Sequence, residues 1–381
     1  MPPPLERAVD PARAAAPLRA PYAVEAHEGR AAFDALRGEW NALLARGPVD
    51  LPSVRHEWLS AWLDAFAPDA PLHVLVARDA AGRAAGMAPL LEERLQGGAV
   101  RLVAPANDHS CRVEWALGPD ASGAVAALWA ALRDRLRWDV LLLRDLPREG
   151  PTSTLLEPLA RADRHLTGRW ASMQSPRVVL GGAPAEERAS SKFRANLRRR
   201  ARRLGELGAV AVKRTDTLDG LDVALGEFLA LEAAGWKGER GTAVGRDARL
   251  VSFYARIARD AAARGALALR TLTLDGRAIA VHLGLVHAGA YHLPKTAYDE
   301  GLGAVSPGQL LQREVLAECE ARRLAAFEFL GPDMPWKRDW APEHVAHDWL
   351  YVYRPSFAGR AMHTLKHRLR PAVKEALEWW R

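Results

Sequence analysis

The chain repeats one order of predicted secondary structure, and this repeat constrains its fold more than any other feature. In each half, two helical segments precede a hairpin pattern, which is followed by a helix and one more strand. Two sequence landmarks recur at nearly the same spacing: Gly82-Arg83 matches Gly276-Arg277, and Asp145-Leu146-Pro147 matches Asp333-Met334-Pro335. Duplication of one α/β domain is the simplest explanation. The alternative is that two unrelated α/β halves share this order by chance.

The individual elements of the repeat follow from the spacing of apolar residues. Apolar residues three and four positions apart predict helices, and alternating or continuous apolar runs predict strands. The predicted helices cover 31–45, 56–66, 124–137, 221–234, 248–265 and 308–323. The predicted strands cover 72–78, 84–93, 139–147, 267–274, 278–287, 290–299 and 326–335. We therefore expect an α/β (α+β) chain with two similar domains in tandem.

The length of 381 residues also favours two domains, because a single hydrophobic core stops growing below this size. We expect a disordered leader rich in Pro, Ala and Arg at 1–21, an N-terminal domain at 22–180 and a C-terminal domain at 219–356. A basic linker region at 181–218 would join the two domains. A basic helix at 357–381 would end the chain.

The linker carries the most concentrated charge of the chain, in the stretch SSKFRANLRRRARRL that begins at Ser190. Its cations are Lys192, Arg194, Arg198, Arg199, Arg200, Arg202 and Arg203. At helical spacing, Phe193, Leu197, Ala201 and Leu204 form one narrow apolar stripe opposite most of these charges. We predict an inter-domain helix with solvated arginines, some of them near enough to a cleft to meet a phosphate. Because the stretch lies between two repeated domains and has an apolar stripe to pack, no dedicated nucleic-acid partner is expected; the net charge of +7 suits anionic ligands without identifying one.

Composition and motifs exclude several classes of protein. Cys111 and Cys319 are the only cysteines, too few for a disulfide framework or a cysteine-based zinc site. The chain has no signal-peptide core and no run of 18 apolar residues, so a cytoplasmic location is expected. It has neither a P-loop nor a G-x-S-x-G nucleophile elbow, which argues against nucleotidase and hydrolase chemistry.

Several ordered motifs resemble a known family. They are HEWLSAWLDAFAPDAPLHVLVARDAAGRAAGMAPL, SSKFRANLRRRARRL, GWKGERGTA, DGRAIAVHLGLVHAGAYHLPKTAYDEGLGAVSPGQLL and FEFLGPDMPWKRDWAP. Together they resemble the GNAT acyltransferases of the cellulose-biosynthesis protein D type, which are relatives of the tandem-GNAT Fem-type aminoacyl transferases of cell-wall synthesis. The resemblance covers about residues 25 to 355. It implies two GNAT-like domains, with the donor site in the C-terminal one.

The resemblance implies acyl-CoA, either acetyl-CoA or a longer acyl-CoA, as co-substrate. In a GNAT domain a central strand leads to a helix whose N-terminal amides hold the donor pyrophosphate, because free N–H groups and the helix dipole favour an anion. Here Ser306 is the expected N-cap, Pro307 suits the first helical position, and Gly308 and Gln309 follow. The usual loop pattern Q/R-x-x-G-x-G/A is missing near 300–310. Read without the family, Ser-Pro-Gly is an ordinary helix start.

Candidate catalytic residues lie on the third strand of the second half and after its last strand. By resemblance Lys337 lies at the active cleft, where it would stabilise an oxyanion or a substrate phosphate or carboxylate. A surface lysine held between two tryptophans is the alternative. His292, or His282 on the preceding strand, would be the base, unless each is a satisfied sheet histidine. Tyr298 and Asp299 at the strand's end are further candidates, and Asp299 is alternatively a solvated charge.

Two other segments are candidates for binding the acceptor. Trp236 and Lys237 lie in the glycine-punctuated loop GWKGERGTAVG, which suits a sugar or nucleotide, although a simple inter-helix turn is equally plausible. Asn107, Asp108 and His109 precede the last helix of the first half, where they would face the acceptor across the domain cleft. These three residues lack a second ligand cluster at metal spacing, so no metal site is expected.

Three functions remain open from the sequence. The first is acyl transfer to an amine or hydroxyl of a sugar nucleotide or a polysaccharide or cell-envelope precursor. The second is Fem-like transfer from aminoacyl-tRNA, and the third is a non-catalytic accessory role with the exopolysaccharide-synthesis machinery. The basic C-terminal segment that ends in Trp379-Trp380 would either pack on the body, which we expect, or lie on an anionic membrane surface.

Overall fold

The computed structural model describes residues 22–234, 244–340 and 342–369. Its strands are β1 (Ala23–Glu28), β2 (Leu72–Arg78), β3 (Ala84–Arg94), β4 (Val100–Val103), β5 (Ala116–Leu117), β6 (Val140–Pro147), β7 (Leu166–Val179), β8 (Val210–Thr215), β9 (Leu267–Leu274), β10 (Arg277–His287), β11 (Ala290–Tyr298), β12 (Ala326–Glu328) and β13 (Glu343–Tyr353). The mixed α/β class expected from the sequence is confirmed.

Helices lie between these strands. They are α1 (Gly29–Ala35), α2 (Arg37–Leu44), α3 (His56–Phe66), α4 (Ala121–Arg135), α5 (Pro151–Ala162), α6 (Ala185–Arg188), α7 (Ser191–Leu207), α8 (Leu221–Ala234), α9 (Ala248–Ala263), α10 (Pro307–Ala321), α11 (Pro335–Arg338) and α12 (Phe357–Thr364). Short 3-10 turns lie at Pro52–Val54, Val244–Arg246 and Glu300–Val305, and a π-helical turn at Leu365–Leu369 follows α12.

The strands form one continuous sheet with the order β1-β2-β3-β4-β6-β13-β7-β12-β11-β10-β9-β8, while β5 pairs with β3 outside this path. Most neighbouring strands are antiparallel. The two parallel pairs are β4 with β6 and β11 with β12. Each parallel pair is joined through one helix, α4 in the first half and α10 in the second, because parallel neighbours need a long crossover. The duplicated order predicted from the sequence is therefore visible in the topology.

The two halves share strands at the centre of the sheet. β13, near the C-terminal end of the chain, lies between β6 and β7 and pairs antiparallel with both. The far end of β7 then pairs with β12 of the second half. The sequence did not predict β7, β8 or β13 as strands. Domain limits near residues 180 and 219 remain a prediction, but the last strand returns to the first half and ties the halves together.

The basic stretch forms α7, as the sequence predicted. Its N-cap Ser190 accepts a hydrogen bond from the amide of Phe193 at 3.2 Å, which satisfies one free N–H of the first turn. Phe193, Leu197 and Leu204 are buried, and Ala201 is half-buried. The apolar stripe therefore packs on the body, and most of the arginines face solvent.

One hydrophobic core spans the two halves. It joins residues of α2 and α3 with residues of α8 and α9. At its centre the ring of Trp58 on α3 meets the ring of Phe253 on α9 edge-on, with centroids 5.5 Å apart. Arg256 of α9 also donates to the Ser60 hydroxyl of α3 at 2.9 Å. This packing fixes the cleft between the halves, where the residues described below lie.

The C-terminal segment packs on the sheet through residue 369. The Lys366 ammonium lies 4.5 Å from the ring centroid of Trp170 on β7 and 4.2 Å from that of Tyr351 on β13. The hydroxyl of Tyr353 and Nε2 of His367 are 3.1 Å apart. Among the described residues, none of the helices has the length and apolar character that crossing a bilayer requires.

Candidate functional site

A bulge in β11 determines which side chains share a face at the candidate site. Leu283 of β10 lies opposite Lys295, and Leu285 lies opposite His292, so two steps on β10 match three on β11. Pro294 lies between the paired positions His292 and Lys295, where β11 has its extra residue. Proline is tolerated at a bulge because it has no N–H to pair. His292 and Lys295 consequently lie on one face. Strict alternation of side chains along the strand would separate these two residues, and the bulge brings them together.

β11 and β12 stop pairing at His292, where the bulge of β11 begins. Their parallel pairing covers only Ala290–His292 and Ala326–Glu328. The chain then turns away from the sheet at Leu330 and Gly331, both of which have positive φ, 54° and 59°. The strand predicted at 326–335 is shorter than expected for this reason. The two strands are therefore unpaired ahead of α10, and we call this unpaired stretch the gap.

Lys337 braces the loop that follows β12. Its ammonium donates to the carbonyls of Leu330 at 2.6 Å and Pro332 at 2.8 Å, and it lies 5.7 Å from the ring centroid of Trp336. The side chain is buried, and burial lowers the pKa of Lys337 to about 8. An ammonium has three N–H groups, so one remains for a ligand. The structure thus places Lys337 in the protein interior and not at the surface.

The start of α10 is fastened to the segment around α11. Gln309 donates from Nε2 to the carbonyl of Trp336 at 2.9 Å and accepts at Oε1 from Nε1 of Trp340 at 2.7 Å. Its amide is therefore engaged in structural contacts. Its role in cofactor binding stays a prediction that would require this bridge to open.

The other two residues expected at the cofactor site differ from the prediction in detail. Ser306 precedes α10, but it adopts a left-handed conformation with φ 48°, and its hydroxyl donates to the carbonyl of Gly303 at 3.1 Å. The side-chain cap predicted for Ser306 is therefore absent. A Cβ at Gly308 would meet Tyr298 at an ordinary 3.5 Å, so packing does not require glycine there.

Tyr298 and Asp299 lie at the outer end of β11. Tyr298 is exposed, and burial of part of its ring raises the pKa of its hydroxyl. Asp299 accepts a hydrogen bond from the amide of Gly301 at 2.9 Å and pairs with Arg277 at 2.7 Å. Asp299 thus caps the turn that leads to α10. These contacts place both residues beside the Glu300–Val305 turn and do not assign either of them a catalytic role.

The two candidate histidines are buried and uncharged at neutral pH. His292 and His282 are 3% and 1% exposed, and burial lowers the pKa of each to about 3. His292 Nε2 and His282 Nδ1 have no hydrogen-bond partner within the described part of the chain. A group with so low a pKa is a weak base near neutral pH. The base role predicted for His292 finds no support in this environment.

A small cavity lies between the two halves, beside His292. Cys111, Arg112 and Trp58 of the first half line it, together with His292 and Leu330 of the second. Its volume of about 10 Å³ is close to the room that one water molecule needs. The cavity therefore marks the point where the segment after β4 meets the diverging end of β11 and β12.

Cys111 adopts an unusual backbone conformation at this cavity. Its φ is 64°, in the left-handed region that non-glycine residues seldom occupy, and such strain concentrates at functional sites. Burial raises the pKa of the Cys111 thiol to about 11, although Lys295, Arg112 and Lys337 act in the opposite direction. Three cations thus act electrostatically on the Cys111 thiol. No pattern in the sequence indicated Cys111 as part of the site.

His109 joins the first half to the second across the cleft. Its Nδ1 lies 2.9 Å from the Tyr254 hydroxyl of α9, and the Lys295 ammonium lies 5.3 Å from the Tyr254 ring centroid. Burial, with help from Lys295, lowers the pKa of His109 to about 4. Lys295 in turn lies 3.9 Å from Glu232, a carboxylate at the end of α8. The prediction that His109 faces the cleft agrees with this position.

Asn107 and Asp108 do not enter the cleft in this way. Asn107 uses its side-chain oxygen to accept from the amide of His109 at 3.0 Å. Asp108 is exposed and pairs with Arg144 at 2.6 Å. Trp236 and Lys237 lie outside the described residues. Within the described ranges no group of three or more His, Cys, Asp and Glu side chains is placed to hold a metal ion.

Comparisons with known proteins agree with this architecture. Residues 191–338, from α7 to α11, match the family described as acetyltransferase (GNAT) domain. A search of curated protein sequences finds no match to the chain.

Three solved structures share the fold over most of their length. The crystal structure of FemX has a TM-score of 0.61 at 12% identity, covering 89% of this chain and 99% of FemX. A conserved protein of unknown function from Bacteroides thetaiotaomicron has a TM-score of 0.55 at 11% identity, covering 84% of this chain and 97% of that one.

The third structure is the C-terminal domain of a putative lysylphosphatidylglycerol synthetase from Agrobacterium fabrum. It has a TM-score of 0.51 at 11% identity, covering 86% of this chain and 95% of that domain. At such identities the likeness concerns the fold alone, and the cellulose-biosynthesis type stays a prediction. The chain therefore carries an acetyltransferase (GNAT) domain at residues 191–338, within a mixed α/β fold that it shares with FemX.

Proposed function

We propose that the protein transfers an acyl group from acyl-CoA to an amine or hydroxyl of a sugar nucleotide or of a polysaccharide or cell-envelope precursor. One observation carries the proposal: within the matched residues, β11 bulges at Pro294 and parts from β12 directly ahead of α10. We expect the thioester arm of the donor to enter at this gap. A reacting group held there would lie beside the cleft between the halves.

The charges around the gap suit the chemistry of acyl transfer. Attack on a thioester builds negative charge on the carbonyl oxygen, and preorganised donors in a dry site stabilise it. Lys337 and Lys295 both act electrostatically on the Cys111 thiol, and the ammonium of Lys337 keeps one N–H that its two carbonyl partners do not use. We assign the oxyanion role to Lys337. Because its pKa is about 8, transfer would decline as the pH rises above that value.

In the overall transfer the acceptor adds to the thioester carbonyl, the C–S bond breaks, and the proton that the acceptor loses ends on the coenzyme A sulfur, which leaves as a free thiol. His292 has a pKa near 3, so we assign it the role of a hydrogen-bond acceptor at the cavity. His109 is held at Nδ1 by Tyr254, which leaves its other nitrogen for the acceptor. The acceptor would then lie in the cleft, near residues of both halves. The proposal includes envelope precursors because the fold is similar to that of FemX and of a putative lysylphosphatidylglycerol synthetase.

Thermal unfolding with acetyl-CoA and longer acyl-CoAs tests the donor. A ligand at about 100 times its Kd stabilises the folded state by about 2.7 kcal/mol, which raises the unfolding temperature by several degrees. Pantetheine and ATP serve as controls, since each carries only part of the donor. The expected result is stabilisation by at least one acyl-CoA and release of free thiol when an acceptor is added. Absence of stabilisation by every acyl-CoA would overturn the donor assignment.

Aminoacyl-tRNA is a second candidate donor, because α7 exposes a row of arginines and the fold resembles that of FemX. Contacts with nucleic-acid phosphates make affinity fall steeply with salt. Binding of tRNA at physiological salt, with transfer of its amino acid to an acceptor and no response to acyl-CoA, would favour this candidate over the first.

A further inference from the structure

Five of the seven cations of α7 divide into two opposite flanks. With about 100° between successive residues, the apolar stripe of Phe193, Leu197, Ala201 and Leu204 separates them. Arg200, Arg203 and Arg199 follow one another on one side of the stripe. Arg198 and Arg202 occupy the mirror positions of Arg203 and Arg199 on the other side, about 110° and 150° from the stripe. We name these sets the inner flank (Arg199, Arg200, Arg203) and the outer flank (Arg198, Arg202).

Two observations place Arg200 and the neighbouring apolar stripe of α7 near the start of α10. Burial raises the pKa of Asp339, and nearby Arg200 acts in the opposite direction. The Asp339 carboxylate is itself 3.4 Å from Nε2 of Gln309, the third residue of α10. In parallel, the Phe193 ring meets Trp340 edge-on at 5.2 Å, and Trp340 donates to Gln309.

Two arginines of the inner flank are not neutralised by a carboxylate in the described part of the chain. Arg199 and Arg203 are exposed, and among the described residues neither forms an ion pair with a carboxylate. The Arg199 guanidinium contacts only Asn196 of its own helix, at 3.1 Å. Arg202 of the outer flank forms an exposed ion pair with Glu206 at 3.7 Å. The inner arginines are therefore available to an anion.

The segment that leads into α10 lacks positive charge of its own. No Lys or Arg occurs between Lys295 and Arg313, although this stretch contains Asp299 and Glu300. A phosphate bound ahead of α10 would need cations from another element. Arg277 of β10 already pairs with Asp299, and α7, which packs against both Glu300–Val305 and α10, brings further cations to this place.

We propose that the inner flank of α7 binds the phosphate groups of acyl-CoA. Guanidinium groups suit this task because their fork of N–H donors matches phosphate oxygens in pairs. The diphosphate would lie across the start of α10, and the acyl arm would continue toward the gap between β11 and β12. This inference rests on the proposed donor, and it assigns to α7 a recognition role beyond joining the halves.

Calorimetric titration with coenzyme A tests the assignment through a matched pair of double variants. Arg199→Ala/Arg203→Ala removes two inner cations, and Arg198→Ala/Arg202→Ala removes the two outer cations at mirror positions. Each variant loses two arginines from the same helix, and circular dichroism checks that it is folded. We expect the inner variant to bind about tenfold more weakly or worse, with a shallower salt dependence. The outer variant should stay within about twofold of the parent.

The outcomes separate this inference from the proposed function. Equal weakening in both variants would mean general attraction by the basic helix, and would overturn the inner-flank assignment while the donor stands. Failure of the unaltered protein to bind coenzyme A would overturn both. Dephospho-coenzyme A identifies the group that is bound: if the inner-flank effect persists with this ligand, the arginines hold the diphosphate, and if it disappears, they hold the 3′-phosphate.

Discussion

Arg112 and Glu328 form a buried ion pair, with Nη2 of Arg112 2.5 Å from Oε2 of Glu328 and side-chain exposures of 7% and 8%. Arg112 belongs to the first half and lines the cavity beside Cys111. Glu328 is the last residue of β12, where the strand ends its pairing with β11. The pair therefore joins the two halves at the position where β11 and β12 begin to diverge.

Arg112→Met should destabilise the protein strongly, because it leaves the Glu328 carboxylate buried without its cation. Breaking a buried pair from one side costs about 3–5 kcal/mol. Adding Glu328→Gln should recover part of this loss, since a neutral amide is less costly to bury. Chemical unfolding at neutral pH measures the free energy of unfolding of each variant.

The exposed pair between Arg101 and Glu93 provides the control for this experiment. Its atoms also lie 2.5 Å apart, but its side chains are 32% and 42% exposed. Arg101→Met should cost less than about 1 kcal/mol, because water screens exposed pairs. Equal losses in the two single variants would show that burial of the Arg112 pair is not what determines its contribution.

Much of the fold was predictable because local periodicity was strong. The strands at 72–78 and 267–274 and the helix at 221–234 were predicted to the residue. β8 was missed because most of its side chains are exposed on both faces, so it shows no apolar alternation. β13 was missed because its partners β6 and β7 lie far away in sequence, and local spacing cannot report such pairing.

The candidate site was less predictable, since it is assembled from distant contacts and irregular backbone. The sequence indicated β11 but not its bulge, which brings His292 and Lys295 to one face. It gave no signal for the positive φ of Cys111. Arg112 and Glu328 are 216 positions apart, and nothing near either residue predicts the other. Lys337 was identified by resemblance, and its burial was not foreseen.

The buried histidines should make the protein sensitive to acid. His282 and His292 have a pKa near 3 in the folded state and an ordinary value of 6.5 when unfolded. Below pH 6.5 the unfolded chain binds protons that the folded protein refuses, so stability falls as the pH drops. Each histidine contributes a slope of about 1.4 kcal/mol per pH unit in that range.

Unfolding free energies at pH 7, 6 and 5 measure this acid sensitivity. His282→Asn removes one titrating ring from the interior. Its slope should be smaller than that of the parent by about 1.4 kcal/mol per pH unit between pH 6 and 5. The readout is the slope and not the absolute stability, so a general loss of packing does not imitate it. An unchanged slope would contradict the neutral, buried state of His282.

Lys337 should act in the same direction as the histidines, but on the alkaline side. Its pKa is about 8 when folded and 10.5 in its ordinary state. Between these values the unfolded chain binds more protons, so stability rises with pH, by up to about 1.4 kcal/mol per pH unit. Lys337→Met cannot titrate and should lack this rise. Chemical unfolding between pH 8 and 9.5 tests it, below the range in which tyrosines ionise; parallel curves for both proteins would contradict the lowered pKa of Lys337.

Gly284 should be intolerant of a side chain, because Tyr291 packs on it opposite the bulge of β11. A Cβ at this position would overlap the Tyr291 hydroxyl oxygen and would lie 2.8 Å from the carbonyl oxygen of Ala268. Tyr291 cannot easily move aside, since it is buried and donates to that same carbonyl at 3.1 Å. Gly284→Ala should therefore destabilise the protein by about 1–3 kcal/mol or more.

Gly226 provides the matched control, because it lies inside α8 with no atom within 4 Å of the position that a Cβ would occupy. Gly226→Ala should stabilise the protein by about 0.5–1 kcal/mol, since alanine loses less freedom in a helix. Thermal and chemical unfolding of both variants give the comparison. A shifted Tyr291 would also displace β11 at the gap, so Gly284→Ala should weaken coenzyme A binding while Gly226→Ala does not. Two variants of equal stability would contradict the packing of Tyr291 against the bulge, and with it the geometry from which the donor site was inferred.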